Sequence, residues 1–358
     1  MNTTLRPDKS RQQAPALTLL EDTGAINGET SASGKRKNFT NWAQCALKTP
    51  QTSPDLFERP SLAAKAYYAD EHTLIFHAPV TTALDWLKDA GLKVDCIVTS
   101  PPFYGQRDYE VKGQIGLEEN PLDYISKLVA CFTKAGEVLN ETGSLWVNIG
   151  DTYWSGRGEH RGKDRKQSAR RFGIRPQDKK GDGKYTRGKQ LLLIPHRFAI
   201  AMQEGPWIVR NDNVWVKPNP LPDQVLDRGS MSHEYVFHFV RQRFYFYNRN
   251  AIGRPTANGT FMPPLDTWQV PISKGHARHK ATFSEDLVRI PVLATTPPNG
   301  VVLDPFAGSG TTLLFARKNG FRAIGIDIKE EYCRAMTSAL KKLPALNGSH
   351  ARATERRA

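Results

Sequence analysis

The stretch Val301–Thr312, VVLDPFAGSGTT, constrains what this chain can fold into more than any other segment. A short apolar run passes into a glycine turn and then into residues that start helices. In an open α/β sheet that is the pattern of a ligand loop at the carboxyl end of a strand. Gly308 and Gly310 carry no Cβ, so a ligand can approach their backbone closely. Ser309, Thr311 and Thr312 suit a helix start, whose free N–H groups can hold a carboxylate or a phosphate. Asp304 ends the strand, Phe306 follows it, and a second acid, Asp327, ends the next apolar run, AIGID. An acid placed about twenty residues on accepts hydrogen bonds from ribose hydroxyls. The bland alternative makes Asp304 a helix cap and Asp327 a surface turn.

The glycines do not follow GxGxxG, and no lysine follows them in P-loop form. The expected ligand therefore has a ribose and an amine or carboxylate, without a required pyrophosphate. S-adenosylmethionine fits that description.

Periodicity elsewhere supports the same sheet. Strands are expected at Thr73–His77, Val94–Thr99, Ser144–Ile149, Ile208–Val216, Val301–Leu303 and Ala323–Ile328. Helical spacing marks Thr81–Ala90, Leu122–Leu139, Leu191–Gln203, Phe283–Ala294, Thr311–Asn319 and Glu330–Leu343. Tyr235–Val240 and Phe244–Tyr247 read as an antiparallel hairpin turned at Arg241–Arg243, at one edge. Strands alternating with helices predict a doubly wound α/β sheet covered on both faces. Residues 1–60 are polar and aperiodic, which predicts a disordered N-terminal tail. The folded domain is expected over 61–345, with a flexible tail at 346–358.

A second constellation follows the buried run VDCIV: Thr99-Ser100-Pro101-Pro102-Phe103. It lies where such sheets carry their ligand crevice. The prolines fix the turn and leave carbonyls without local partners. The Ser100 hydroxyl and the Pro101 carbonyl could accept the two hydrogens of an exocyclic amino group, with Phe103 stacked on the base. Positioning and electrostatics would then drive a direct methyl transfer. A base inside a duplex must be flipped out to reach such a pocket. Taken alone, the motif is equally a proline-stiffened turn.

Charge points to the partner. The chain carries a formal +14, and thirteen Lys/Arg stand against four Asp/Glu between Arg157 and Lys189. Such an excess favours a polyanion. The insert at 155–190 and the loops Pro218–Met231 and Asn248–Arg278 are candidate DNA-recognition elements. Their cations would chiefly meet phosphates, while a few Arg, Asn or Gln would read base edges. His276 and His279 suit phosphate contacts better than metal ligation. The four cysteines (Cys45, Cys96, Cys131, Cys333) show no zinc spacing. None follows a proline, which argues against covalent attack on pyrimidine carbon-6. No metal is expected, and no apolar run reaches the roughly 20 residues of a membrane span.

These segments resemble the amino-methyltransferase family of DNA modification enzymes. Its catalytic tetrapeptide, [DNS]PP[YFW], is matched by Ser100–Phe103, and its cofactor loop by Asp304–Thr312. The catalytic motif comes first, as in the permuted subgroup called beta. Further matches are TSPPFYGQRDY at Thr99–Tyr109, GQIGL at Gly113–Leu117, NIGD at Asn148–Asp151, WVKPNP at Trp215–Pro220 and HEY at His233–Tyr235. The likeness runs from about Thr73 to Leu343.

The resemblance implies a Rossmann-like methyltransferase sheet and S-adenosylmethionine as cofactor. Ser100, Pro101, Pro102 and Phe103 would be catalytic. Asp304, Phe306, Gly308, Gly310, Thr311, Asp327 and Phe283, the last from the segment before the loop, would line the cofactor pocket. The Ser-Pro-Pro form leans toward the 4-amino group of cytosine in double-stranded DNA, with the adenine 6-amino group as the alternative. A restriction endonuclease acting on the same site is the implied companion. The expected setting is the cytoplasm, for a bacterial or phage-encoded, nucleoid-associated protein, with the chain a monomer or dimer. Where the family carries a Gly-Asp pair before the catalytic strand, this chain has His77-Ala78-Pro79. Either another residue makes that cofactor contact or affinity falls, and an inactive DNA-binding homologue is the rival outside enzymes. Asp151 either orients the target amine or caps its loop. His233-Glu234 reads as a structural hydrogen-bonding pair. Trp215 and Lys217 either border the base or, for Trp215, join the core.

Overall fold

A strand with all six residues buried needs cover on both faces, and Val94–Thr99 is such a strand. The computed structural model describes residues 59–156, 175–220, 225–258, 261–262, 264–272 and 284–344. Of the tail expected at 1–60, residues 1–58 lie outside them, as do the tail expected at 346–358, the basic stretch 157–174, and His276, His279 and Phe283. In chain order the helices are α1 (Pro60–Ala63), α2 (Val80–Asp89), α3 (Pro121–Val138), α4 (Ile194–Gln203), α5 (Glu285–Thr295), α6 (Thr311–Lys318) and α7 (Glu330–Leu340). The first strands are β1 (Tyr68–Asp70), β2 (Thr73–His77), β3 (Val94–Thr99), β4 (Leu139–Ile149), β5 (Tyr153–Trp154) and β6 (Gln190–Leu191). The rest are β7 (Ile208–Val216), β8 (His233–Val240), β9 (Arg254–Pro255), β10 (Phe261–Met262), β11 (Thr267–Gln269), β12 (Val301–Asp304) and β13 (Arg322–Asp327).

Nine strands form one sheet in the order β1-β2-β13-β12-β3-β4-β8-β7-β11. The run from β2 to β4 is parallel, and β8 is antiparallel to both β4 and β7. Side chains alternate across it as a two-residue period requires. Leu74, Phe76, Ile97, Ile324 and Ile326 join one buried cluster, and Ile75, Cys96, Val98 and Ala323 the other. Leu84, Leu128, Phe132 and Phe198 bring α2, α3 and α4 onto the first face. Leu287, Val292, Leu313 and Met336 bring α5, α6 and α7 onto the second. The doubly wound α/β expectation is met. Among the described residues no helix is long and apolar enough to cross a membrane.

The arrangement sets the site. From β12 the chain passes through α6 to β13 on one side; from β3 it passes through α3 to β4 on the other. β12 and β3 are neighbours, with Val302 opposite Cys96 and Leu303 opposite Ile97. The strand order reverses between them, and a crevice opens at the carboxyl ends of such a pair. Their opposite ends are clipped by buried Asp95. It accepts from the Val301 N–H at 2.8 Å and from Asn140 Nδ2 at 2.7 Å.

Two expectations need correction. Phe244–Tyr247 is not a strand, so no hairpin forms at 235–247. Both edges of β8 are already occupied by β4 and β7, which leaves no ladder for a third strand. The alternating aromatics serve packing instead: Tyr245 and Tyr247 lie 5.5 and 6.3 Å from the ring of His238. β8 instead pairs antiparallel with β7, and β11 forms the edge beyond β7. The helix expected from Leu191 begins at Ile194, because Leu193 takes a left-handed conformation (φ 54°) that ends β6 and turns the chain.

Candidate active site

Asp304 is where the two constellations meet. The strand pattern delivers it to the end of β12, beside the end of β3. There Thr99 Oγ1 donates to its Oδ1 at 2.6 Å, across 205 positions of sequence. Thr312 Oγ1, in the first turn of α6, donates to Oδ2 at 2.6 Å, and the Phe306 N–H to Oδ1 at 3.1 Å. The carboxylate is 4 % exposed. Burial pushes its pKa up to about 6, against the opposing pull of these donors. Hydrogen bonds to a charged group contribute roughly 1.5–3 kcal/mol each. Asp304 thus fastens the end of β3, the glycine loop and the start of α6 together, as a buried clamp between the candidate catalytic turn and the candidate cofactor loop.

The glycine loop follows. Gly308 takes φ 52° and Gly310 φ 85°, conformations that disfavour a side chain. A Cβ on Gly310 would strike Met336 Cγ at 2.6 Å, so this glycine lets α7 close on the loop. A Cβ on Gly308 would meet nothing within 4 Å, so this glycine faces open space that a ligand can enter. The Gly308 N–H donates to Asp327 Oδ2 at 2.9 Å, and the Lys329 N–H to Oδ1 at 2.8 Å. Burial raises the Asp327 pKa. Phe306 packs edge-on to Phe132 at 6.2 Å, and Thr311 opens α6. An open glycine, an acid two strands from the catalytic motif and a helix start fit the ribose and the charged amino-acid end of S-adenosylmethionine. At the end of β2, His77 Nε2 bonds the Ile328 carbonyl at 3.1 Å, at the place where the family's Gly-Asp pair would stand.

On the other side of Asp304 stands the Ser-Pro-Pro-Phe turn. Pro101 is buried, and Ser100, Pro102 and Phe103 are half-buried. The Pro102 carbonyl is taken by Tyr124 Oη at 2.8 Å, whereas no donor among the described residues meets the Pro101 carbonyl. The Phe103 ring lies over Gly150, where an added Cβ would come within 2.7 Å of it. Ser100 Oγ donates to Asn148 Oδ1 at 3.1 Å. Asn148 Nδ2 in turn donates to Glu234 Oε2 at 3.0 Å, and the other Glu234 oxygen pairs with Lys217. The NIGD, HEY and WVKPNP segments therefore converge behind one hydroxyl. Glu234 pairs across the sheet with Asn148 and Lys217, while Trp215 is core, its Nε1 donating to the Val270 carbonyl at 2.7 Å.

Asp151 caps: its Oδ1 accepts from Thr152 N at 2.8 Å and Ile194 N at 3.1 Å, which starts α4. The thiols of Cys96, Cys131 and Cys333 are buried, and burial pushes each up to about 12. None is a nucleophile near neutral pH. Gln177, which sequence reasoning passed over, is 1 % exposed and donates from Nε2 to the Gly105 carbonyl at 3.1 Å. Its backbone carbonyl accepts from the N–H groups of Ser155 and Gly156 at 2.8 and 3.1 Å. The described end of the basic insert is thereby docked on the catalytic loop. A glutamine in a charged, polar run gives no sequence signal of burial. Asn148, Glu234 and Lys217 sat within quoted motifs, but nothing in one dimension joined them.

A family profile described as DNA methylase, covering N6 and N4 enzymes, matches residues 94–338. The Type II methyltransferase M.Cfr9I of Citrobacter freundii is 41% identical over 239 residues, 67% of this chain and 78% of that one. The Type II methyltransferase M.SmaI of Serratia marcescens is 39% identical over 244 residues, 66% of this chain and 81% of that one. Among solved structures, the cytosine-N4-specific PvuII DNA methyltransferase shares the fold, with a TM-score of 0.57 at 20% identity over 81% of this chain and 93% of that one. With the site's architecture and the profile match over most of the folded region, the chain belongs to the N6/N4 DNA methylase family.

Proposed function

We propose that this DNA methyltransferase methylates the 4-amino group of cytosine within a short duplex sequence, and that it protects that sequence from a paired restriction endonuclease. The observation that carries the reading is the Thr99–Asp304 bond. It ties the Ser100 turn to the loop of Gly308 and Asp327 along one rim of the sheet. S-adenosylmethionine supplies an electrophilic methyl group. Gly308, Gly310, Thr311 and Asp327 are the residues that would hold it, with Phe306 beside them and Phe283 as the candidate from the preceding segment.

The remaining chemistry is positioning. Ser100 Oγ and the Pro101 carbonyl accept the two amine hydrogens, which turns the nitrogen lone pair toward the methyl donor. Phe103 stacks on the flipped base and Pro102 stiffens the turn. None of the described thiols, Cys96, Cys131 and Cys333, takes part, in keeping with their burial. The Ser-Pro-Pro form of the motif, Ser100–Pro102, favours the cytosine reading through its resemblance to the cytosine enzymes of the family.

Nucleoside analysis of treated duplex DNA tests the proposal. 4-Methylcytosine is expected, and 6-methyladenine would replace the cytosine reading with the adenine one. Ser100→Ala should lower turnover at least a hundredfold while the dissociation constant of S-adenosylmethionine changes less than about threefold. Equal losses in both would remove Ser100 from the role assigned.

A further inference from the structure

Behind Ser100 a row of polar side chains crosses four neighbouring strands. It runs from Ser100, after β3, through Asn148 on β4 and Glu234 on β8 to Lys217, just past β7. Asn148 is 2 % exposed. Its Nδ2 donates to Glu234 Oε2 at 3.0 Å and to the Tyr235 carbonyl at 3.2 Å. An asparagine amide can be assigned either way round, and its partners decide. Here both partners of the NH2 group are acceptors, so the carbonyl oxygen must face Ser100. Lys217, which has only hydrogens to offer, holds the second Glu234 oxygen and thus the acceptor character of the carboxylate. Ser100 has one proton, and it is directed at Asn148 Oδ1, 3.1 Å away. Both lone pairs of the hydroxyl remain for the pocket.

We propose that Asn148, oriented by Glu234 and Lys217, makes Ser100 an acceptor only, so that the pocket admits a base with an amino group and rejects its keto counterpart. The inference rests on the reading that Ser100 receives the target base, and it adds a source of specificity to it. A serine alone cannot discriminate in this way, since its hydroxyl rotates to donate or accept as the ligand demands. With the proton held elsewhere, a keto oxygen in the place of the amine would face lone pairs. A site built to hydrogen-bond one group rejects the analogue that lacks it, because its own buried polar atoms are left unpaired. Asn148 and Glu234 are positioning residues here: they act through Ser100.

The test uses the full-length protein with S-adenosylhomocysteine and duplexes carrying the site identified from its methylated DNA. The target position holds cytosine or uracil, each opposite an abasic position, so that the cost of flipping is nearly equal. Fluorescence anisotropy should show the unaltered protein preferring cytosine about ten- to a hundredfold. Asn148→Ala frees the Ser100 hydroxyl and should reduce that ratio to within about threefold. Glu234→Gln is nearly isosteric and guards against a folding defect. Lys217 will take the oxygen of the new amide, which turns its NH2 toward Asn148. Asn148 then faces a donor on that side and keeps only the Tyr235 carbonyl as acceptor for its NH2, so its hold on the Ser100 proton weakens and the preference should shrink. A purely structural role would weaken binding to both duplexes and leave their ratio intact. An unaltered protein without preference, or variants that keep the full ratio, would overturn the inference. Absence of 4-methylcytosine from the unaltered enzyme's product would instead overturn the cytosine reading, and an adenine product would move the comparison to adenine against hypoxanthine.

Discussion

Asp304 shows how one residue can be conspicuous in sequence for one reason and act for another. Its place before the glycine turn suggests a ligand-facing acid, yet Thr99, Thr312 and the Phe306 amide occupy its oxygens. Burial outweighs these donors and raises its pKa from the ordinary 3.8 to about 6. The folded state then binds a proton more tightly than the unfolded state does. The resulting share of stability is full below about pH 4 and is lost as pH rises through 6; a difference of that size is worth roughly 3 kcal/mol. Asp304→Asn removes that titration. Urea denaturation at pH 4, 5 and 6 should therefore show the stability of wild type relative to Asp304→Asn declining as pH rises. A constant or growing gap would mean that the carboxylate is ordinary in the fold.

Among the elements, strands buried on both faces were the most legible. Val94–Thr99 has the boundaries that apolar patterning predicts, and so does Ile208–Val216 nearer the sheet edge. The Phe244–Tyr247 run failed because alternation reports a chain that could be a strand and not whether a partner edge is free. Helix starts were legible to within a few residues; Leu193 delayed one because its left-handed turn has no glycine to announce it. Gly150 belongs at this scale as well. It follows β4 directly and leaves room for the Phe103 ring, and a Cβ there would stand 2.7 Å from Cε2. Gly150→Ala should swing the aromatic wall of the base pocket. We expect turnover to fall about ten- to a hundredfold, since displacement by about 1 Å suffices for that. Cofactor titration should show binding nearly unchanged, because the glycine loop lies beyond Asp304; a parallel loss of cofactor affinity would count against two separable half-sites.

At the scale of the molecule, charge and topology divide the work. The formal +14 belongs to the whole chain and speaks of a polyanionic partner, while the described end of the insert, docked through Gln177, brings part of it beside the loop of Gly105. Lys180, Lys184 and Arg187 are exposed in the described end of that insert. Replacing all three by glutamine should weaken duplex binding. It should also lower the slope of log affinity against log salt by about 0.9 for each phosphate left without its cation, up to about 3 in all. Filter binding across a series of salt concentrations reads the slope, and an unchanged slope would place the DNA elsewhere. What the linear order of residues determined here is local: the glycine turn, the proline turn, the two-residue and 3.6-residue periods and the excess of cations. Each depends on neighbours within a turn or a strand, where backbone sterics and side-chain spacing operate. Only the tertiary structure decided that Thr99 would bond Asp304, that Asn148, Glu234 and Lys217 would line up behind Ser100, and that Gln177 would lie buried against Gly105. Those pairings join residues far apart in the chain, and they exist because strand order, a property of the packed sheet, sets which carboxyl ends stand side by side.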